Sequence, residues 1–265
     1  MAWGTVAFRS QSLNMPVEIE VLIPQCGYKS LSQSDSFKVI LLLHGANNDR
    51  TEWLLKSQIA DMVKELPVLV VMPSGKNSFY VNTWNGYRYM DYIAEELPEF
   101  IRTQFRVSDR NEDWLIAGES MGGYGALICG LHHTDTFGNI ASFSGALDVR
   151  AAEKDLPKIH LEHLFGPDFR EEIKPEYDPF RLSKLVPGEQ RPRIFMCCGS
   201  EDTLLEINRS FYEAIQGEYD VTAVWKDGAH EFQYWNERLK DMFVWFCGKD
   251  LKHGFFMGRN GNDFC

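Results

Sequence analysis

The sequence is poor in basic residues relative to acidic ones. Its 265 residues include 27 Lys and Arg against 38 Asp and Glu, which gives a formal net charge of -11. Nucleic-acid binders depend on clustered Lys and Arg that neutralise phosphates, so this balance argues against a nucleic-acid partner. The sequence also lacks an apolar run of membrane-spanning length, and it opens without the basic start and apolar core of a secretory signal. These absences predict a cytoplasmic protein without a membrane partner.

Cysteine is scarce and irregularly spaced. The six cysteines form no CxxC pair and no framework of regular spacing, which argues against a disulfide scaffold or a zinc knot. His160 and His163 share a helical face by spacing, but no third ligand type accompanies them in a metal-like pattern. We therefore expect reduced thiols and no metal site.

Hydrophobic patterning predicts a mostly parallel sheet. Residues 17–23 alternate with period two, as in a half-exposed strand, and we expect them to pair with residues near 3–9. Nearly continuous apolar runs are typical of parallel strands buried on both faces. Such runs occupy residues 37–43, 68–72, 114–117, 140–143, 194–198 and 221–225.

Helical spacing separates the later strands. It occurs near residues 51–65, 89–105, 121–133, 204–216 and 231–247. This alternation predicts an α/β fold with helices on both faces of the sheet. The stretch from about 149 to 190 breaks the rhythm with five prolines, and a Ser-rich turn is expected at 30–36. We interpret 149–190 as a cap-like insertion over the site, within a single domain of residues 1–265.

The pentapeptide Gly118-Glu119-Ser120-Met121-Gly122 matches the G-x-S-x-G pattern of a nucleophile elbow. It follows a predicted buried strand and precedes a predicted helix, which is the context that the pattern requires. Gly118 and Gly122 are expected to leave room for a tight, strained turn that lifts the hydroxyl of Ser120 clear of the sheet. Ser120 is therefore the candidate nucleophile.

A serine nucleophile needs a base and an orienting acid, which follow it along the chain in this fold. His230 lies in a loop after a predicted strand, whereas His132 and His133 fall at a helix end. The loop after strand 194–198 contains Glu201 and Asp202. We predict Asp202 as the acid, with Glu201 as a close rival and Asp227, on the loop of the histidine, as a more distant one.

Two backbone N–H groups must stabilise the oxyanion of a tetrahedral intermediate. Met121, directly after the nucleophile, is expected to supply one of them. Ala46, in the loop that follows strand 37–43, is expected to supply the other, with Gly45 allowing the sharp bend. His44 precedes Ser120 in the chain, and we interpret it as a brace for this loop rather than as the base.

An aromatic loop at residues 79–87 follows another strand at the same edge of the sheet. Pockets for small molecules are usually apolar with a few polar groups. We therefore predict Tyr80 and Trp84, together with Gly45, as substrate-binding residues. The alternative is that these aromatic side chains only pack the insertion onto the sheet.

These motifs together resemble the esterase D family of α/β-hydrolases. The likeness rests on His44-Gly45, on Gly-x-Ser120-Met121-Gly-Gly-Tyr-Gly, on residues 141–147 and on Gly-x-His230-Glu-Phe-x-Tyr-Trp. The family includes S-formylglutathione hydrolases, feruloyl esterases and mycolyltransferases, and the chain resembles bacterial tributyrin esterases most. Glu119 is a departure, because the nearest relatives carry an apolar residue there, and it is expected to bias the pH dependence.

By position, the resemblance implies the same nucleophile, acid, base and oxyanion donors. It also implies hydrolysis of short-chain acyl esters through an acyl-enzyme, with a small-molecule ester as substrate and no cofactor. The rivals within hydrolases are an S-formylglutathione hydrolase and a feruloyl esterase. The rival from another class is an inactive binding protein on the same fold. Whether the protein forms a homo-oligomer is left open.

Overall fold

An eight-stranded sheet runs through the centre of the protein in a computed structural model that describes residues 1–24, 36–64, 66–154 and 156–248. The strands are β1 (Ala2–Ser10), β2 (Met15–Ile23), β3 (Lys38–Leu43), β4 (Val68–Pro73), β5 (Trp114–Glu119), β6 (Asn139–Phe143), β7 (Arg193–Gly199) and β8 (Val221–Lys226). Their order across the sheet is β1-β2-β4-β3-β5-β6-β7-β8.

The strands after β2 are mutually parallel, and the first two are not. β1 pairs with β2 and β2 with β4 in antiparallel fashion, whereas all pairs among β3 to β8 are parallel. The predicted pairing of residues 17–23 with residues near 3–9 is confirmed, with Gly4 opposite Val21. Every residue of β4 and β5 is buried, which explains why these strands are continuous apolar runs in the sequence.

Helices cover both faces of the sheet. They are α1 (Glu52–Lys56), α2 (Ile59–Met62), α3 (Tyr89–Asp91), α4 (Leu97–Gln104), α5 (Met121–His132), α6 (Val149–Ala152), α7 (Leu161–Phe165), α8 (Pro179–Leu185), α9 (Leu205–Ile215) and α10 (Phe232–Cys247). Within β3, Leu41 joins the core under α4, α5 and α9, and its neighbour Leu42 joins the core under α1, α2 and α10. Successive strand residues point to opposite faces, so one strand serves both cores. The predicted α/β-hydrolase fold is confirmed.

Two predicted helices are divided in the structure. The segment near 51–65 forms the short helices α1 and α2, separated at Ser57 and Gln58. The segment near 89–105 contains a π turn at Tyr92–Glu96 between α3 and α4. The carboxylate of Glu96 accepts hydrogen bonds from the Ser10 hydroxyl (2.7 Å) and from the backbone of the β1–β2 turn, so this wide turn ties α4 to the hairpin.

The stretch from 149 to 190 forms α6, α7, α8 and two short 3₁₀ turns between β6 and β7. The prolines begin some of these pieces, as at Pro175 and Pro179. Several features of the sequence lie outside the described residues. They are most of the turn predicted at 30–36, the segment 254–258, and the cysteines Cys26 and Cys265. Within the described ranges, no helix is long and apolar enough to cross a membrane.

Candidate active site

Ser120 stands at the junction of β5 and α5 in a strained backbone conformation. Its φ of 55° and ψ of -117° lie outside the regions that an L-residue ordinarily adopts. The surrounding backbone holds it there: the Ser120 N–H donates to the Phe143 carbonyl (2.9 Å), and the Ser120 carbonyl accepts from the Ala146 N–H (3.0 Å). Neighbouring strands therefore impose the turn that lifts the hydroxyl above the sheet.

Two glycines make this turn sterically feasible. A Cβ at Gly118 would lie 2.5 Å from the carbonyl oxygen of Gly122, and a Cβ at Gly122 would lie 2.6 Å from the carbonyl oxygen of Leu43. Both contacts are with backbone, which cannot move aside as a flexible side chain would. The G-x-S-x-G spacing is thus a packing requirement of the junction between β3, β5 and α5.

His230 and Asp202 meet at the same edge of the sheet. Asp202 follows β7 and His230 follows β8, and the imidazole Nδ1 lies 2.9 Å from Oδ2 of Asp202. The side chain of Asp202 is completely buried, whereas that of His230 is 35% exposed. The acid therefore lies inside the protein behind a histidine that reaches the surface.

The surroundings of Asp202 favour its ionised form. Burial acts to raise its pKa, but hydrogen bonds from His230 and from the Leu204 N–H (2.9 Å) outweigh burial and hold the pKa below its usual value. An ionised carboxylate can only accept, so Nδ1 of His230 carries the proton. The lone pair of Nε2 is then left to act as a base.

The rival acids point elsewhere. Glu201 is exposed, and Asp227 accepts a hydrogen bond from the hydroxyl of Ser200 (3.2 Å). The edge of the Trp235 ring packs against the other side of the imidazole, with ring centroids 5.0 Å apart and planes at 87°. The orientation of His230 is thus defined by Asp202 and Trp235 together.

The loop after β3 places Gly45 and Ala46 beside Ser120, in the same cavity. Met121 begins α5, and the first N–H groups of a helix have no partner within the helix. One predicted oxyanion donor, Ala46, thus lines the cavity of Ser120, and the other, Met121, is the first residue of the helix that follows the serine.

His44 lies beneath this loop, away from the nucleophile. Its Nε2 accepts the Gly75 N–H (2.9 Å), so the proton is on Nδ1, which donates to the Gly45 carbonyl (2.7 Å). Burial lowers the pKa of His44, which keeps the ring neutral in this role. The contacts are those of the predicted brace.

Ser120 and His230 open into one cavity of about 430 Å³. Its apolar wall consists of Ala146, Ala152, Leu156, Leu204, Phe232 and Trp235. Ala152 and Leu156 come from the inserted stretch, which thus covers part of the site. The polar side of the cavity carries Asn48, Glu52, Lys56 and Glu119.

The aromatic loop does not line this cavity, so the assignment of Tyr80 and Trp84 to substrate binding requires correction. Tyr80 is fully buried, and its hydroxyl donates to the His44 carbonyl (2.8 Å). Trp84 is 61% exposed, lies against Gly166 and borders a separate cavity of about 270 Å³. The backbone N–H of Trp84 donates to the carbonyl of Leu164 (2.8 Å). The loop therefore packs the insertion onto the sheet, and only Gly45 of the three residues lines the cavity.

Sequence reasoning missed most of the cavity wall. Phe232 and Trp235 lie in the motif around His230, so their closeness to the candidate base in the chain could have predicted that they line the cavity. Glu52 and Leu156 carry no comparable signal, because each reaches the site through the packing of a segment that has no motif of its own.

The fold and this cavity define a serine hydrolase. The model of the family described as Putative esterase matches residues 10–246, and the chain belongs to that family. The chain is 29% identical over 261 residues to an acetyl esterase of Caldicellulosiruptor saccharolyticus, covering 92% of this chain and 98% of the relative. The protein described by this sequence is a carboxylic ester hydrolase.

Two solved structures from Staphylococcus aureus superpose closely. One is a fluorophosphonate-binding serine hydrolase F with substrate bound, at a TM-score of 0.83 and 26% identity, covering 94% of this chain and 99% of that one. The other is an S-formylglutathione hydrolase without ligand, at a TM-score of 0.79 and 26% identity, covering 92% and 98%. Both neighbours are hydrolases by their descriptions.

Proposed function

We propose that the enzyme is a serine carboxylesterase that hydrolyses short-chain acyl esters through an acyl-enzyme. Ser120 is the nucleophile, His230 the base and Asp202 the acid that orients it, with the N–H groups of Ala46 and Met121 as oxyanion donors. The observation that carries the proposal is the 2.9 Å contact between His230 and the buried Asp202, at the rim of the cavity that contains Ser120.

Acylation follows from the protonation states. Nε2 of His230 removes the proton of Ser120 while Oγ attacks the ester carbonyl, and the negative charge on the former carbonyl oxygen is stabilised by the two N–H groups. The imidazolium is stabilised by the ionised Asp202. It then gives its proton to the leaving alcohol as the C–O bond breaks.

Deacylation repeats these steps with water. His230 removes a proton from a water molecule that attacks the acyl-enzyme, and the returning proton regenerates the Ser120 hydroxyl as the acid leaves. The net reaction consumes one ester and one water and releases one alcohol and one carboxylic acid. Every proton transfer uses His230, and water is the only reactant besides the ester.

The preference for a short acyl group is supported by the cavity wall. Leu156, Leu204 and Phe232 line a space of about 430 Å³ that charged side chains such as Glu52 and Lys56 also line. The acetyl esterase relative points to the same substrate class. The cytoplasmic location and the exclusion of nucleic acid stay predictions from the sequence, and a homo-oligomer stays open.

Hydrolysis of S-formylglutathione is the second candidate, favoured by the neighbour of that description at 26% identity. A thioester carbonyl can react through the same steps. Side-by-side kcat/KM values on p-nitrophenyl acetate, p-nitrophenyl decanoate, S-formylglutathione and methyl ferulate separate the candidates. We expect p-nitrophenyl acetate to exceed the decanoate. A preference for S-formylglutathione or methyl ferulate over the acetate would overturn the short-chain assignment.

Labelling tests the nucleophile independently of the substrate. A fluorophosphonate probe should label the wild-type protein and Ser210→Ala, which removes a hydroxyl from α9, but not Ser120→Ala. Loss of labelling only in Ser120→Ala also excludes an inactive binding protein. Labelling of a folded Ser120→Ala variant would contradict the proposal.

A further inference from the structure

Glu119 places a carboxyl group inside the protein directly beside the nucleophile. The residue is the last of β5 and only 2% exposed. Its carboxyl group lies against the backbone of the oxyanion loop, because a Cβ at Gly45 would sit 2.3 Å from Oε1 of Glu119. Oε1 is buried and finds no hydrogen-bond donor in the part of the chain that the structure describes.

Glu52 places a second carboxyl group on the same loop. It belongs to α1 and is 4% exposed. Its Oε2 accepts the Gly45 N–H (3.0 Å), and its Oε1 accepts from Nζ of Lys56 (2.9 Å). Glu52 is thus held by donors on both oxygens, and Gly45 is in contact with both acids.

Two buried carboxyl groups that contact the same loop do not both ionise, because their negative charges would repel strongly in a medium of low dielectric constant. Both oxygens of Glu52 already accept hydrogen bonds, whereas Oε1 of Glu119 accepts none from the described residues, so we place the shared proton on Glu119. Burial raises the pKa of Glu119 well above its usual range, and the charge of Glu52 raises it further. A backbone hydrogen bond from Gly45 and the charge of Lys56 act to lower the pKa, but both effects are weaker than burial and Glu52.

The other groups around Glu119 do not supply a compensating charge. His44, under the oxyanion loop, has a pKa lowered by burial. Tyr80, from the loop after β4, has a pKa raised chiefly by burial, so its hydroxyl carries no charge. His230 and Glu231 line the same cavity. Glu119 is therefore neutral, and its proton is the donor available to Glu52.

We propose that Glu119 is a positioning residue whose protonated carboxyl group donates a hydrogen bond to Glu52 and so holds Gly45 and Ala46 in place beside Ser120. The contact joins the nucleophile elbow at the end of β5 to α1, with the oxyanion loop between them. Loss of the proton at alkaline pH places two negative charges under the loop. The loop then moves, and the Ala46 N–H no longer meets the oxyanion.

This inference rests on the proposed esterase function, and its first test is the pH profile of kcat/KM on p-nitrophenyl acetate. We expect wild-type activity to decline at alkaline pH. Glu119→Gln keeps a donor for Glu52 and cannot ionise, so its ratio of alkaline to neutral activity should be higher than in wild type. Glu119→Leu removes the donor and should lower kcat by about tenfold or more, with a smaller change in KM, because the donor geometry matters most in the transition state.

The matched control is Glu189→Gln, which changes an exposed glutamate on a surface turn far from the cavity. Its pH profile should superimpose on that of wild type. Profiles of wild type and Glu119→Gln that superimpose at alkaline pH would overturn the inference, as would a wild-type profile with no alkaline decline. Glu119→Gln serves as the decisive variant if Glu119→Leu does not fold.

A second measurement needs no activity. Infrared difference spectra between wild type and Glu119→Gln at neutral pH should contain the C=O stretching band of a protonated carboxylic acid, and the difference with Glu189→Gln should not. Absence of the band from the Glu119 difference would overturn the inference even in an active enzyme. Presence of the band in a protein that a fluorophosphonate does not label would mean that the proposed function has failed while the buried proton is real.

Discussion

Nδ1 of His230 lies 2.9 Å from Oδ2 of Asp202, and the exposed imidazole covers a carboxylate that solvent does not reach. The difference in exposure matters because a charge-assisted hydrogen bond is stronger away from water. The difference in exposure also separates the role of Asp202 from that of His230. The acid holds the proton on Nδ1, and the histidine presents Nε2 to the cavity.

Asp202→Asn should lower kcat on p-nitrophenyl acetate by about 10³- to 10⁴-fold, because an amide can stabilise the wrong tautomer of His230 and does not stabilise the imidazolium. The circular dichroism spectrum should be unchanged, since the amide is nearly isosteric. Glu201→Gln is the matched control on the same loop, and it should stay within about twofold of wild type. A comparable loss in both variants would mean that the acid has been misassigned.

Gly122→Ala should destabilise the protein and abolish most activity. The added methyl group would lie 2.6 Å from the Leu43 carbonyl oxygen, and relief requires β3 and α5 to separate. Overpacking of this kind costs about 1–3 kcal/mol or more in the free energy of unfolding, measured with urea. At Gly217, where a Cβ would meet nothing within 4 Å, alanine should change that free energy by less than about 1 kcal/mol. Equal effects at the two glycines would be inconsistent with a steric role.

The pH dependence of stability should carry the signature of Glu119. Its pKa is raised in the folded protein, so the folded state retains a proton that the unfolded chain releases above its ordinary pKa. The contribution of this group to stability is present below that ordinary value and is lost as pH rises through the folded pKa. The free energy of unfolding of Glu119→Gln minus that of wild type should therefore grow with pH, by up to about 1.4 kcal/mol per unit.

Urea unfolding of both proteins at a series of pH values from about 5 upward measures this difference. The pKa of Asp202 is shifted in the opposite direction. Its contribution to the free energy of unfolding is therefore lost only as pH falls through that lowered pKa, and it does not affect the comparison at alkaline pH. A difference between Glu119→Gln and wild type that stays constant across this range would show that Glu119 titrates normally.

Trp84→Ala should leave kcat/KM on p-nitrophenyl acetate within about twofold of wild type, because surface substitutions away from a site change little. Trp84 borders a different cavity from that of Ser120. Phe232→Ala is the comparison, since Phe232 forms part of the active-site wall and packs edge-on against Trp235 at 4.9 Å. We expect it to raise KM severalfold. A larger effect at Trp84 than at Phe232 would restore the aromatic loop as a substrate-binding element.

The local parts of this protein could be predicted from its sequence. Burial is recorded in hydrophobic periodicity, so β3 to β8 stand out as continuous apolar runs, and the antiparallel hairpin stands out by its alternation. The elbow at Ser120 was predictable for a related reason. Its glycines and its place between a strand and a helix express steric rules that act within a few residues.

The sequence by itself determined which strand ends carry Ser120, Asp202 and His230, the candidate nucleophile, acid and base, because parallel strands bring their carboxyl ends to one edge. Only the tertiary structure decided that Asp202, rather than Glu201 or Asp227, contacts His230. It also turned the aromatic loop away from the cavity and brought Glu52 of α1 against Glu119. These outcomes depend on distances between segments far apart in the chain, which are set by how helices and loops pack on the sheet and leave no period in the sequence.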